Sequence, residues 1–320
     1  VPHRSKKVML ALSAHTTVAA SMDATLTLES DGIRAAFAPG AGMVAHSLRH
    51  RDEELLGQRF GLDAYIAQRK TMGIPLLHPW ANRIARRRFQ VAGAEVVIDP
   101  QATPLRLDAD GLPMHGLLSA AHGWRVERHD DRSLAARFDF AADATLMAAF
   151  PFAHELLFEA TLADGTLTIA STVHATGTTV VPISFGFHPY LRLPGVKRTD
   201  WEVEIPVTEQ LVLDDRMLPT GGRVAAHVAS GPLGSRTFDD AYTAPPDGRP
   251  FVLAGGGRRI ELAFLAGYPY AQVFAPPDDD VVAFEPMTAP TNALVDGGPE
   301  LTLLAPGDSY RAAFAISVTA

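Results

Sequence analysis

The stretch Leu162-Ala163-Asp164-Gly165-Thr166-Leu167-Thr168-Ile169-Ala170-Ser171-Thr172-Val173 holds a turn followed by a strand. Asp164 and Gly165 both tolerate positive φ, which a two-residue hairpin turn needs at its central positions. After them Leu167, Ile169, Ser171 and Val173 share one face, the period of a half-buried antiparallel strand. The same alternation recurs at Thr25 to Leu28, Leu134 to Phe140, Trp201-Val203-Ile205 and Ile260-Leu262-Phe264. Gly221-Gly222, Gly255-Gly256-Gly257 and Pro306-Gly307-Asp308 mark further reversals. With 26 Gly and 24 Pro in 320 residues, turns are frequent and strands short. Helical periodicity is scarce, and Glu53 to Lys70 is the best candidate for a short helix. No repeat or linker divides the chain. The expectation is an all-β fold, a large antiparallel β-sandwich in a single domain spanning residues 23–320.

Composition narrows the function. A net charge of −8 argues against nucleic acid or an anionic membrane as partner, since both demand a basic face. No apolar run approaches the ~20 residues of a membrane span. The absence of cysteine removes thiol nucleophiles, Cys-ligated zinc and disulfides. Residues 1–22 are basic at Arg4, Lys6 and Lys7, then apolar to Ala20, with His15, Thr16 and Thr17 interrupting. They read as a leader or tag-like segment outside the fold. That reading places the protein in the cytoplasm, or in the periplasm if the segment is a signal peptide.

Four segments set polar side chains in apolar or proline-bounded surroundings. Gly73 to Ile84 contains His78-Pro79-Trp80-Ala81-Asn82-Arg83, where an amide and a guanidinium stand together, as sugar hydroxyls require. By its position alone, Trp80 is expected to floor a pocket. Met114-His115-Gly116-Leu117 offers a histidine in a turn. Ile183 to Leu191 embeds His188 between Phe187 and Pro189, where burial or a nearby carboxylate would tune its pKa. Val281 to Pro290 ends an apolar run on Glu285-Pro286, and a carboxylate there costs several kcal/mol unless paired or used. A loop whose Asn82 and Arg83 satisfy backbone carbonyls, and a core His188, are the bland alternatives.

These four segments, in this order, resemble the aldose 1-epimerases, the galactose mutarotase-like family. Phe150-Pro151-Phe152, Phe238-Asp239-Asp240-Ala241-Tyr242 and Ala271-Gln272-Val273-Phe274 add weaker matches. The resemblance implies a galactose mutarotase-like supersandwich, and an isomerase that interconverts α and β anomers of a hexose by opening and closing its ring. It implies Glu285 as general base and His188 as general acid. Asn82, Arg83, His115, Asp239 and Gln272 would hold the sugar, and no metal or other cofactor takes part. The chain departs from the family pattern at Thr291, at Phe185-Gly186-Phe187 and at Leu117. A preference for galactose or glucose is therefore not carried over.

Two other readings accompany this one. Arg86-Arg87-Arg88 follows Arg83 and suits phosphate or sulfonate, which points to an anionic hexose; the plain alternative is a solvated basic turn. A non-catalytic carbohydrate-binding module on the same sandwich would bind sugar without accelerating mutarotation. His78, His115, His122 and His188 show no metal-ligand spacing. The expected partner is a small-molecule sugar, and the expected assembly a monomer or homodimer.

Overall fold

The computed structural model describes Val18–Ala19 and residues 25–319. Regular structure there is dominated by antiparallel strands. A 10-stranded sheet runs in spatial order from Val18–Ala19 through Arg125–His129, Ser133–Asp139, His154–Ala163, Thr166–Ala175, Ser309–Thr319, Arg258–Ala266, Phe251–Gly255 and Glu202–Glu204 to Gly231–Pro232. An 8-stranded sheet runs from Pro219–Ala225 through Glu209–Leu213, Phe238–Thr243, Tyr270–Ala275, Val282–Met287 and Gly186–Phe187 to Leu76–Leu77, with Tyr190–Leu191 also on Val282–Met287. A 4-stranded sheet joins Leu26–Ser30, Ile33–Ala38, Val44–His50 and Glu53–Glu54. Val18 pairs with Val126 and Ala19 with Arg125, so this pair from the expected leader extends the first sheet. The remainder of 1–22 lies outside the described residues.

The hairpin at Asp164-Gly165 forms as its residues require. Leu162 faces Leu167 and Ala163 faces Thr166, with φ of 50° at Asp164 and 72° at Gly165. Leu167, Ile169, Ser171 and Val173 are all buried. Aromatic contacts bind the sheets into one core. Phe187 meets Phe314 with ring centroids 5.1 Å apart, Phe251 stacks on Phe284 at 5.1 Å, and Phe37 meets Phe158 edge-on at 5.8 Å. All three sheets contribute side chains to a single apolar cluster. Each buried Phe or Leu contributes about 1.5–3 kcal/mol.

The expected helix is shorter than Glu53 to Lys70. It covers Gly61–Gln68, because Glu53–Glu54 pairs as a strand and Arg69 closes the helix in a left-handed conformation. No helix among the described residues is long and apolar enough to cross a membrane.

Strand parity positions the functional face. In the 8-stranded sheet Gln272 lies opposite Glu285, Val273 opposite Phe284, and Ala241 opposite Gln272. Val273 and Phe284 point into the sandwich core. Their neighbours Asp239, Gln272 and Glu285 therefore occupy the other face, since successive side chains alternate. The apolar run ending at Glu285 is thus a strand buried on both faces, by core on one side and by covering loops on the other.

The core also holds a histidine pair remote in sequence. His78 and His154 are both buried, with Nε2 to Nε2 at 2.7 Å, and His154 stacks on Phe140 at 4.4 Å. His154 donates through Nδ1 to the Phe152 carbonyl at 2.6 Å, so its Nε2 accepts and His78 donates. Burial holds His78 well below the usual 6.5 and takes His154 down to about 4. Below pH 6.5 the unfolded chain binds protons that these folded rings refuse, so stability falls on acidification. His154 alone is expected to remove on the order of 3 kcal/mol between pH 6.5 and 4. Urea midpoints at pH 7, 6 and 5 check this; identical midpoints would contradict it.

Candidate active site

Two loops wall the face that carries Glu285. In the first, Ala81 donates to the Ser184 carbonyl at 2.7 Å. In the second, His115 donates from its backbone to Asn82 at 2.8 Å and Leu117 donates to His78 at 2.7 Å. Asn82 and His115 both take left-handed backbone, with φ of 56° and 64°. Such strain persists only where surrounding contacts enforce it. Gly116 makes the closure possible, for a Cβ there would lie 2.2 Å from the His78 carbonyl oxygen. Asn292, also left-handed at φ 69°, ties the 288–292 loop to the first wall. Its Oδ1 accepts from the Ala85 amide at 2.7 Å and its Nδ2 donates to Asp296 at 2.8 Å.

These walls enclose a cavity of about 130 Å³. Of the residues singled out from sequence, Asn82, Arg83, His115, His188, Asp239 and Glu285 all line it. Gln272 does not; it is buried and donates through Nε2 to Asp239 Oδ1 at 2.7 Å. Trp80 is fully buried in the main core and forms no floor. Arg86, Arg87 and Arg88 lie outside the cavity, with Arg88 paired to Glu95 on the surface and Arg87 bonded to the Gly111 carbonyl.

His188 Nε2 lies 3.1 Å from Glu285 Oε1. The two residues are 4% and 2% exposed, so water barely screens them. Glu285 Oε2, His188 Nδ1 and His115 Nδ1 have no hydrogen-bond partner among the described residues. Burial, then the Asp239 carboxylate, pushes Glu285 well above the usual carboxylate range, while Arg83 opposes the rise. Burial, then His115, Arg59 and Arg106, holds His188 well below the usual imidazole range. The ring of His188 stacks on Tyr190 at 3.9 Å, which fixes its plane. Arg83 donates through Nε to Asp108 at 3.0 Å and through Nη1 to the Asn82 side-chain oxygen at 2.8 Å.

Arg59, Arg106, Met114, Tyr190 and Phe274 also line the cavity without having been singled out as site residues. Tyr190 was legible as the neighbour of His188-Pro189. Arg106 carried a faint signal, a cation between Leu105 and Leu107. Among the described residues no group of three or more His, Cys, Asp or Glu side chains is arranged to hold a metal ion.

A carboxyl and an imidazole in contact, ringed by hydrogen-bonding side chains in one cavity, can move two protons on one small polar molecule. The model of one family, aldose 1-epimerase, matches residues 24–317. The chain belongs to the aldose 1-epimerase family. The uncharacterized protein YihR of Escherichia coli K12 is 22% identical over 261 residues, covering 76% of this chain and 80% of YihR. A galactose mutarotase-like protein from Clostridium acetobutylicum superposes with a TM-score of 0.79 at 16% identity, over 92% of this chain and 94% of that one. A GalM/aldose epimerase homologue from C. elegans gives 0.73 at 17% identity, over 92% and 98%. At these identities the structural likenesses establish the fold, and this aldose epimerase family member shares the mutarotase-like sandwich.

Proposed function

We propose that this family member is an aldose 1-epimerase that equilibrates the α and β anomers of an aldose without a cofactor. The observation that carries the reading is the 3.1 Å contact between His188 and Glu285 inside the cavity. O1 and the ring oxygen are bonded to the same carbon, C1, so the groups that serve them must be neighbours. Ionised Glu285 takes the proton from the C1 hydroxyl as C1=O forms and the C1–O5 bond breaks. Protonated His188 gives its proton to O5. Rotation about C1–C2 presents the other face of the aldehyde. On closure His188 takes the proton back from O5 and Glu285 returns its proton to O1, so both groups end as they began. Arg83, His115, Asn82 and Asp239 hold hydroxyls, and Gln272 positions Asp239 through their 2.7 Å bond.

The pH dependence follows from the pair. The reactive form, Glu285 ionised and His188 protonated, contains one proton, as does the neutral-acid form that burial favours. Activity therefore follows the singly protonated pair, falling when a second proton is added and when the last is lost. Because burial lowers His188 and raises Glu285, the acid limb is expected below the usual 6.5 of a histidine and the alkaline limb above the usual 4.5 of a glutamate. Polarimetry of freshly dissolved α-D-glucose and α-D-galactose, with the spontaneous rate subtracted, tests both points. No acceleration of any aldose would overturn the reading, and a flat profile from pH 5 to 9 would remove the acid–base pair.

A further inference from the structure

Three arginines share the cavity wall, and one of them has no ion-pair partner among the described residues. Arg59, Arg83 and Arg106 all line it. Arg83 is met by Asp108 at 3.0 Å and Arg59 by Asp279 at 3.0 Å. Arg106 is half-buried and has no carboxylate within the 4.0 Å of an ion pair among the described residues. Its guanidinium donates to the neutral Thr71 Oγ1 at 3.0 Å. Burial, then the cations Arg59 and Arg83, pull its pKa down, while Tyr190 and the Asp108 carboxylate oppose the fall. A guanidinium set among other cations in a partly dry wall is unfavourable until an anion arrives. Neither carboxylate lining the cavity forms an ion pair with it: Glu285 contacts His188, and Asp239 accepts from Gln272.

Placement of these cations relative to the chemistry gives the anion an address. Arg59 lies over the Tyr190 ring at 4.7 Å, and Tyr190 stacks on His188 at 3.9 Å. Thr71, which Arg106 grips, is bonded to the Tyr190 hydroxyl at 2.6 Å. Arg59 and Arg106 thus gather around Tyr190, on the His188 side of the acid–base pair. In the mutarotase reading, on which this inference rests, Glu285 serves O1 and His188 serves the ring oxygen. The ring oxygen leads to C5, and C5 carries C6. The path from Glu285 past His188 therefore runs along the sugar from C1 toward C6.

We propose that the substrate is an aldopyranose bearing an anionic group on C6, gripped by Arg106 with Arg59 beside it. A carboxylate, a phosphate and a sulfonate all offer oxygens to the donor fork of a guanidinium. The Arg86-Arg87-Arg88 triplet has no part in this, since it lies outside the cavity.

Exchange NMR at anomeric equilibrium separates the outcomes. Wild type is assayed on D-glucose, D-galactose, D-glucuronate, D-glucose 6-phosphate and the 6-deoxy-6-sulfonate of glucose, each beside its spontaneous rate. At least one anionic sugar is expected to exceed both neutral hexoses in kcat/KM by at least about thirtyfold, the scale of a desolvated charge pair. The best substrate identifies the anion. Arg106→Met is expected to cut that ratio at least about tenfold, mainly through KM, with Arg106→Lys between the two. Neutral hexoses turned over as efficiently as every anionic one would overturn this inference while leaving the mutarotase reading intact. An anionic preference unchanged in Arg106→Met and Arg59→Met would overturn the arginine assignment. If no sugar is accelerated, the mutarotase reading falls and calorimetry decides the anion site. Anionic binding lost in Arg106→Met would uphold the site, and no binding would end it.

Discussion

Glu285→Gln is expected to leave the fold intact and to lower the catalysed rate of mutarotation by about 10²- to 10⁴-fold, the usual contribution of a positioned general base. The amide keeps the shape of the carboxyl and can still hydrogen-bond His188, whose Nε2 lies 3.1 Å from Oε1. It cannot take a proton from O1. Stability should hold or rise, because the variant removes an ionisable group that burial already disfavours. Polarimetry beside urea unfolding checks both halves. Wild-type turnover in the variant would remove Glu285 as the base, and a lower midpoint would show that its charge is structural.

Gly116→Ala is expected to damage stability and activity together. The added Cβ would lie 2.2 Å from the His78 carbonyl oxygen and 2.4 Å from its carbonyl carbon, both backbone atoms with little room to yield. The residue also sits at φ +71°. Left-handed backbone costs about 1–2 kcal/mol for a residue with a Cβ, and overpacking adds about 1–3 kcal/mol. The expected loss is about 2–5 kcal/mol. Gly32→Ala is the matched control, with φ +75° and nothing within 4 Å of the added atom, so it meets only the first cost. Activity falls in Gly116→Ala beyond the stability loss, because His115 moves with its neighbour and a 1 Å misplacement costs about 10²-fold. Equal midpoints for the two variants would show that the wall yields.

The two substitutions probe different kinds of information. The sandwich was legible because its signals are local. Asp164-Gly165 can form only a few turns, and the alternation beside it selects a half-buried strand whatever else the chain does. Glu285 stood out because a carboxylate closing an apolar run is costly anywhere. The helix boundary was less legible, since Glu53–Glu54 found a strand partner that no local pattern named.

The candidate site divides the same way. Asn82, Arg83, His115, His188, Asp239 and Glu285 were picked from motifs, and the fold brings them to one cavity. Trp80 also looked like part of a pocket, but its ring is in the core. The basic triplet is the solvated turn that was weighed against an anion site, and the arginines that join Arg83 in the cavity are Arg59 and Arg106. Asp108 and Asp279, which pair two of the three cavity arginines, gave no sign of their partners.

By itself the sequence determined the turn chemistry, the strand period and the presence of a suspicious carboxylate, all matters of φ preference and hydrophobic contrast within a few residues. Only the tertiary structure decided which cations share a wall with that carboxylate and which one is left without an ion-pair partner. Charge balance in a low-dielectric pocket depends on distances between side chains far apart in the chain, and those distances exist only once the sheets have paired.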